Sequence, residues 1–337
     1  MKIQLIGSGN VGRSLIMLIK EKENTLKSLK TPLQIVSVSD SKGTAKNDKG
    51  LDLEQVLKHK TAGWKRFSQY VKGYTALKAI RNLESDVVVE LTPSTPSGQP
   101  GLSHIKAALM QKKNVVTANK GPFIVAYEEL VSLAERNHVR LLYEATVAAH
   151  LPVFCMVESC FKADHLMHLE GTLNATTNFI IGEMEKGKDF QSSLEHAVNE
   201  GWAEQNCSDD VDGIDAARKV VILANSFFQR GVKLENVKVE GIRGVDHMIE
   251  AARKSHKRVK LVCEIVRKGR QVEMSVRPRL LSAEDPLAAV NGGDMAMKLT
   301  YKTAKRIFVS AQFTGVKQTA SAVLNDIIKI GSTGQAC

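Results

Sequence analysis

Carboxylates and a lysine crowd into one short stretch, Gly201-Trp-Ala-Glu204-Gln-Asn-Cys-Ser-Asp-Asp210-Val-Asp-Gly-Ile-Asp215-Ala-Ala-Arg-Lys219, and such a set is suited to acid–base chemistry. Asp215 and Lys219 are four residues apart, and the residues that follow, Val220 to Ala224, are apolar and read as a buried helix. Both side chains therefore share one helical face, a charged pair beside apolar packing. Taken alone, such a pair is ordinarily a solvated surface contact of small energetic weight. The elements that accompany it change the reading.

The first of these elements is at the N-terminus. The apolar run Ile3-Gln-Leu5-Ile6 leads into Gly7-Ser-Gly9-Asn10-Val11-Gly12, and a helical pattern follows from Arg13 to Lys20. Strand, glycine turn and helix in this order form a dinucleotide site. The first glycine permits the turn, the second lets a pyrophosphate approach the backbone, and the third lets helix and strand pack closely. The next strand, Leu33 to Val38, ends near Asp40, where a carboxylate would accept hydrogen bonds from the adenosine ribose. Its distance from the glycines is longer than usual, which implies an extended first helix and a connection from Lys27 to Pro32. Lys42, Lys46 and Lys49 follow and could instead receive a 2′-phosphate, so NAD and NADP both remain open.

Further strands keep the same rhythm. Asp86 to Leu91 runs into a Pro/Ser/Gly loop from Thr92 to Gly101, Asn114 to Thr117 runs into Ala118-Asn119-Lys120-Gly121-Pro122, and a strand from Arg140 to Glu144 follows a helical Tyr127 to Asn137. Strands alternating with helices imply a parallel sheet, and ligands of such sheets gather at the carboxyl ends of the strands. Lys120 is thereby placed to face a cofactor cleft.

Five motifs now stand together in one order: Gly7-x-Gly9-x-x-Gly12, Val116-Thr-Ala-Asn-Lys120-Gly-Pro122, Glu144-Ala-Thr-Val147, Gly171-Thr-Leu-Asn-Ala-Thr-Thr-Asn178 and Asp209-Asp210-Val-Asp-Gly-Ile-Asp215-Ala-Ala-Arg-Lys219. The chain resembles the homoserine dehydrogenases over nearly its whole length, in the short form without a fused aspartate kinase or a separate regulatory domain. The resemblance implies NAD(P)-dependent interconversion of L-aspartate 4-semialdehyde and L-homoserine, the branch-point reduction leading to threonine and methionine. It also implies that Lys219 stabilises or protonates the carbonyl oxygen as charge builds there, with Asp215 holding it and Lys120 nearby on the cofactor side. Glu204 matches the ligand of the substrate ammonium, while Asp210, Thr176 and the backbone at Ala175 match positions touching the rest of the amino acid. Thr92 and Gly315 fall with the cofactor-binding positions. A monovalent cation, Na+ or K+, is implied on the carbonyls of Glu144, Val147, Ala149 and Leu151.

The chain departs from the family pattern in three places. Ala148-Ala149-His150-Leu151-Pro152 replaces a loop of the Gly-x-Gly-x-Pro type, Asn174-Ala175-Thr176-Thr177 replaces Asn-Gly-Thr-Thr, and Phe313-Thr314-Gly315 replaces a glycine-rich turn. The added β carbons bear on turnover and coenzyme fit and leave the fold untouched.

Size and composition set the remaining bounds. A chain of 337 residues exceeds the usual single-domain range. The expected architecture is α/β: a Rossmann-type doubly wound parallel sheet at 1–150, an α+β substrate and dimerisation domain at 151–305, and a tail at 306–337 returning to the first. The second domain should hold a strand from Leu166 to Thr172, helices near Thr177 to Glu185, Gln191 to Asn199 and Asp212 to Gln229, and a hairpin joining Val259–Val266 to Val272–Val276. A net charge of +11 raises the possibility of a polyanion partner. The densest basic run, Arg253 to Lys260, has no interleaved aromatics, and aromatics are only 5% of the chain, so it reads as a solvated helix end and nucleic acid is not an expected partner. No apolar stretch reaches spanning length and strand one begins at once, so neither membrane nor signal peptide is expected and the cytoplasm is the expected location. Five cysteines without CxxC spacing are expected to be reduced, with Cys337 the most accessible, and His165 and His168 read as strand residues rather than metal ligands. A homodimer is the expected assembly. Two rival functions stay open, a dehydrogenase of another small semialdehyde and a non-catalytic NAD(P)-binding regulatory protein.

Overall fold

The computed structural model describes residues 1–64, 67–148 and 151–332. Two compact units divide the chain, one formed by Met1–His150 with Gly315–Cys337 and the other by Leu151–Thr314.

The first unit alternates strand and helix: β1 (Lys2–Ile6), α1 (Asn10–Glu21), α2 (Glu23–Ser28), β2 (Gln34–Ser39), β3 (Gly43–Lys46), α3 (Leu53–Thr61), β4 (Tyr70–Lys72), α4 (Ala76–Asn82), β5 (Val87–Glu90), α5 (Gly101–Met110), β6 (Asn114–Thr117), α6 (Gly121–Asn137) and β7 (Leu141–Leu142). Among the described residues its sheet has the order β4-β3-β2-β1-β5-β6-β7. β1 pairs in parallel with both β2 and β5, so the chain leaves the central strand to one side and resumes on the other. That reversal opens a crevice above the carboxyl ends of β1 and β5, where ligands of open α/β sheets bind. Central strands covered on both faces are mostly apolar. Ile3, Leu5, Val87, Val88 and Val89 are accordingly fully buried.

The second unit comprises α7 (Val153–Cys160), β8 (Leu166–Thr172), α8 (Ala175–Glu185), α9 (Phe190–Asn199), α10 (Ser208–Val211), α11 (Ile214–Phe227), β9 (Val237–Val239), α12 (Asp246–Ser255), β10 (Arg258–Lys268), β11 (Gln271–Leu281), β12 (Met295–Tyr301) and β13 (Arg306–Ala311). Its sheet runs β13-β12-β8-β10-β11-β9, with β10 and β11 forming one long antiparallel hairpin. Helix α11 lies on β10 and β11. Nine of its residues, from Ala216 to Asn225, are buried, Lys219 among them.

Several expectations are corrected. The first helix is not extended; it stops at Lys22, and α2 resumes separately. An unexpected antiparallel pair, β3 and β4, borders β2, so the sheet is not wholly parallel. Helix α6 starts at Gly121 rather than near Tyr127, because Pro122 suits a first helical turn, and it kinks at Ala126. The tail divides: β13 pairs with β12 in the second sheet, and the return to the first unit begins at Gly315 rather than at 306. There α13 (Val316–Gly331) buries Ala320, Val323, Leu324 and Ile327 in the core that holds Leu15, Ile16 and Ile19 of α1. The basic run is only partly solvated, since Lys260 is fully buried. No helix among the described residues is long and apolar enough to cross a membrane.

Candidate active site

In the first unit the glycine motif has the geometry its spacing predicts. Gly7 has φ +94, and a β carbon there would fall 2.5 Å from the Leu91 carbonyl, so the turn is closed to any side chain. On Gly12 a β carbon would meet the Gly7 carbonyl oxygen at 2.2 Å, which ties helix to strand. A β carbon on Gly9 would meet nothing within 4 Å. Gly9 caps α1 without any side-chain hydrogen bond, leaving the amides of Asn10, Val11 and Gly12 at an uncapped helix start suited to an anion. A cavity of about 420 Å³ beside this turn is lined by Gly7, Ser39, Asp40, Lys42, Thr92 and His104, among others. Lys120, at the start of α6, and Gly315, with φ +139 at the start of α13, are not among its lining residues.

Asp40 is more committed than its place at the end of a strand suggests. Its Oδ1 accepts the amides of Lys42 and Gly43 at 2.8 and 3.0 Å and the Tyr70 hydroxyl at 2.8 Å. Its Oδ2 accepts the Trp64 indole at 2.7 Å and the Lys60 ammonium at 3.3 Å. Burial alone would raise the Asp40 carboxyl, but these donors outweigh it and hold it below the usual carboxylate range. A ribose hydroxyl would have to share oxygens already in use. Lys42 is exposed, while the Lys46 ammonium lies 5.5 Å from the centre of the Tyr74 ring.

Sequence reasoning missed the polar hub beneath the Thr92 and Lys120 loops. Glu90, wholly buried at the end of β5, accepts the Thr92 amide at 3.1 Å, the Thr92 hydroxyl, and the Asn119 side chain at 3.1 Å. Asn119 in turn accepts the Gly121 amide at 3.1 Å. One carboxylate thus fixes two loops at the carboxyl ends of adjacent strands. The only sequence signal was a lone glutamate closing a run of valines.

In the second unit Lys219 and Asp215 do share a face of α11, and they are not solvated. Lys219 is 9% exposed. Its Nζ lies 2.7 Å from Asp215 Oδ2 and donates to the Leu173 carbonyl at 2.5 Å. Asn174, which caps α8, bridges the carboxylates: its Nδ2 donates to Asp210 Oδ1 at 2.5 Å and to Asp215 Oδ2 at 3.0 Å. Burial alone would drive the proton off Lys219. The charge and hydrogen bond of Asp215, with Asp210 and Cys263 behind them, outweigh that cost and hold the ammonium above the ordinary lysine value. The structure therefore brings Asp210, Asp215 and Lys219 together, with Ala175 and Thr176 at the start of α8. Glu204 is exposed in the loop before α10, and the Thr176 hydroxyl, rather than pointing outward, donates to the Trp202 carbonyl of that loop at 2.7 Å.

Of the cation carbonyl set, Glu144, Val147 and Leu151 are buried, and the Leu151 carbonyl already accepts the Val153 amide at 2.8 Å. Ala149, His150 and Cys337 lie outside the described residues. Ala148 adopts φ +53, so the turn keeps a glycine-like conformation without the glycine. Among the described residues, Cys155, Cys160, Cys207 and Cys263 are in no disulfide. His168 does lie in β8, with Nε2 3.1 Å from Glu264. His168, Glu170 and Glu264 are spaced closely enough to hold a metal ion, but Lys298 and Arg279 lie 2.8 and 2.6 Å from Glu170 and supply the opposing charge.

A glycine turn at the switch point of a parallel sheet, together with a buried ammonium held charged by carboxylates in a second unit, defines a two-domain nicotinamide-dinucleotide oxidoreductase. Two family models match the chain: "Homoserine dehydrogenase, NAD binding domain" over residues 7–144 and "Homoserine dehydrogenase" over residues 152–328. The chain belongs to the homoserine dehydrogenase family. It is 34% identical over 335 residues to the homoserine dehydrogenase of Methanocaldococcus jannaschii, covering 98% of each chain. It is 35% identical over 337 residues to an NAD(+)-dependent homoserine dehydrogenase of Pseudomonas canavaninivorans, covering 98% of this chain and 96% of that one. A hyperthermophilic archaeal homoserine dehydrogenase solved in complex with NADPH superposes with a TM-score of 0.83 at 28% identity, covering 99% of this chain and 98% of the other.

Proposed function

We propose that this chain interconverts L-aspartate 4-semialdehyde and L-homoserine with NAD or NADP, and that Lys219 is its proton-transferring group. The observation that carries the reading is the buried Asp215–Lys219 pair, 2.7 Å apart, in a member of this family. The reduced nicotinamide, when bound, supplies one hydride to the aldehyde carbon. As that bond forms the carbonyl oxygen gains charge, and Lys219 donates the proton that completes the alcohol. In the oxidative direction the same group takes the hydroxyl proton back. Asp215 keeps Lys219 protonated and aimed, and Asn174 keeps Asp215 in place.

Substrate recognition divides by charge. Glu204 pairs with the substrate ammonium and Asp210 adds to that negative end, while the amides of Ala175 and Thr176, in the first turn of α8, lack intrahelical acceptors and suit the substrate carboxylate. On the cofactor side, the uncapped start of α1 takes the pyrophosphate, with Thr92, Lys120 and Gly315 on the loops around the nicotinamide end. Asp40 being saturated by its own chain, it repels a 2′-phosphate less than its charge implies, and exposed Lys42 offers that phosphate a partner. Both coenzymes should serve. A Michaelis constant about a hundredfold lower for NADP would show that the lysines decide. Na+ or K+ on the carbonyls of Glu144, Val147, Ala149 and Leu151, a homodimer and a cytoplasmic location complete the reading. They rest on the family resemblance, and titration with each salt and sedimentation would test the first two.

The deciding experiment follows the absorbance of reduced nicotinamide with purified protein and L-homoserine at alkaline pH. Turnover is expected. Its absence with coenzyme binding confirmed would overturn the reading and leave the two rivals, which turnover, or none, on other small hydroxy substrates would separate.

A further inference from the structure

The loop that carries Glu204 is wedged at one point. Trp202 stacks on Phe179 of α8, with ring centroids 5.6 Å apart and planes 22° apart, and its amide donates to the Ala197 carbonyl at 2.8 Å. Its six-membered ring also lies against the backbone of Gly293, where a β carbon would fall 2.0 Å from it. The turn holding Gly293 joins Val290 to β12 and is itself anchored from below. Asn178, buried in α8, donates to the Gly292 carbonyl at 2.9 Å. Fully buried Lys260 of β10 donates to Asn178 Oδ1 at 2.9 Å and to the Val290 carbonyl.

These contacts form one chain, from Lys260 through Asn178 and the 290–294 turn to Trp202, two residues before Glu204. We infer that Gly293 and Trp202 are positioning residues for substrate binding: the turn seats the indole, and the seated indole sets where Glu204 meets the substrate ammonium. Lys260 and Asn178 hold the seat level. The inference rests on the reading of Glu204 as the ammonium ligand. A long exposed loop would otherwise present that carboxylate over a range of positions, and misplacement by an ångström or so costs heavily in a charged contact.

The test is Gly293→Ala, whose methyl must push the ring aside, assayed with Glu204→Gln alongside. Gly293→Ala should raise the homoserine Michaelis constant about tenfold or more, leave kcat within about threefold and leave coenzyme affinity unchanged. In a Trp202→Leu background the same substitution should add less than about twofold, since the ring it displaces is gone. An unchanged Michaelis constant for Gly293→Ala while Glu204→Gln raises it overturns the inference, as does an undiminished effect in the leucine background. If Gly293→Ala raises the constant and Glu204→Gln does not, the seat stands and the assignment of Glu204 falls; if neither acts, both fall. Should Gly293→Ala fail to fold, Trp202→Leu and Trp202→Phe carry the same question. Leucine should raise the constant about tenfold and phenylalanine, which can still stack, should restore it to within about threefold; equal constants overturn the inference.

Discussion

Of the three lysines buried in the second unit, Lys219, Lys260 and Lys298, the first two fare oppositely. Lys219 on α11 has Asp215 at 2.7 Å and is held above its ordinary protonation range. Lys260 on β10 is hydrogen-bonded to neutral oxygens, on Asn178 and Val290, and burial presses it down to about 8, with Glu185 opposing and Arg258 adding to the fall. Burial is common to both, so the partner decides. A carboxylate makes a buried lysine a durable proton donor; an amide and a carbonyl make it a strut whose charge is expensive.

The largest effect expected follows from the first half of that contrast. Lys219→Ala should lower kcat by roughly 10²- to 10³-fold while coenzyme affinity barely moves. Asp215→Ala should behave similarly and the double variant should be little worse than either, because the two act as one unit. Asp215→Asn sharpens the point by giving Lys219 a neutral partner like that of Lys260. The alkaline limb of kcat in the reducing direction should then move to lower pH. A Lys219→Ala enzyme within a few-fold of wild type would return the pair to an ordinary helix contact and end the contrast.

The second half makes a stability prediction. Lys260 is pressed below its unfolded value of 10.5, so the unfolded chain binds the proton more tightly between about pH 8 and 10.5. Stability should therefore rise with pH across that window, by at most ~3 kcal/mol from this group, and denaturant melts of Lys260→Met should lack the rise. A melt whose pH slope is the same in both proteins would mean that Lys260 titrates like an exposed lysine.

Asp40 extends the comparison to the first unit, as a carboxylate saturated by its own chain. Asp40→Ala strands the Trp64 indole, the Tyr70 hydroxyl and the Lys60 ammonium, and should destabilise by about 2 kcal/mol while shifting the NAD to NADP preference less than about threefold. A shift beyond tenfold with unchanged melting would show a carboxylate spent on coenzyme choice instead. Smallest is Ala148→Gly: relief of a left-handed alanine, partly offset by a freer unfolded chain, should stabilise by about 0.5 kcal/mol in thermal melts.

What could be read from the sequence is what neighbours in sequence determine. The glycine turn after β1, the shared face of Asp215 and Lys219 and the hairpin of β10 and β11 all depend on short spacings, and each is where its residues put it. What escaped was set by distant partners. Nothing near Glu90 announces that Thr92 and Asn119 converge on it, nothing near Trp202 announces Gly293, and a lysine at the end of a basic run gives no sign that its strand carries it inside. Strands β3 and β4, at one end of the sheet, are short and partly polar, so they lacked the apolar run that marks β1 and β2.

The path of the chain also orders its birth. Because α13 supplies Ala320, Val323, Leu324 and Ile327 to a core begun by β1 and α1, the unit started first is completed last. On a ribosome its nascent half must wait, apolar flank uncovered, while the whole inserted unit is made and folds, an interval on the order of ten seconds or more at ordinary elongation rates. A stalled or truncated product would thus hold a finished second unit joined to a sticky, half-built first unit, the form that chaperones and proteases are placed to recognise.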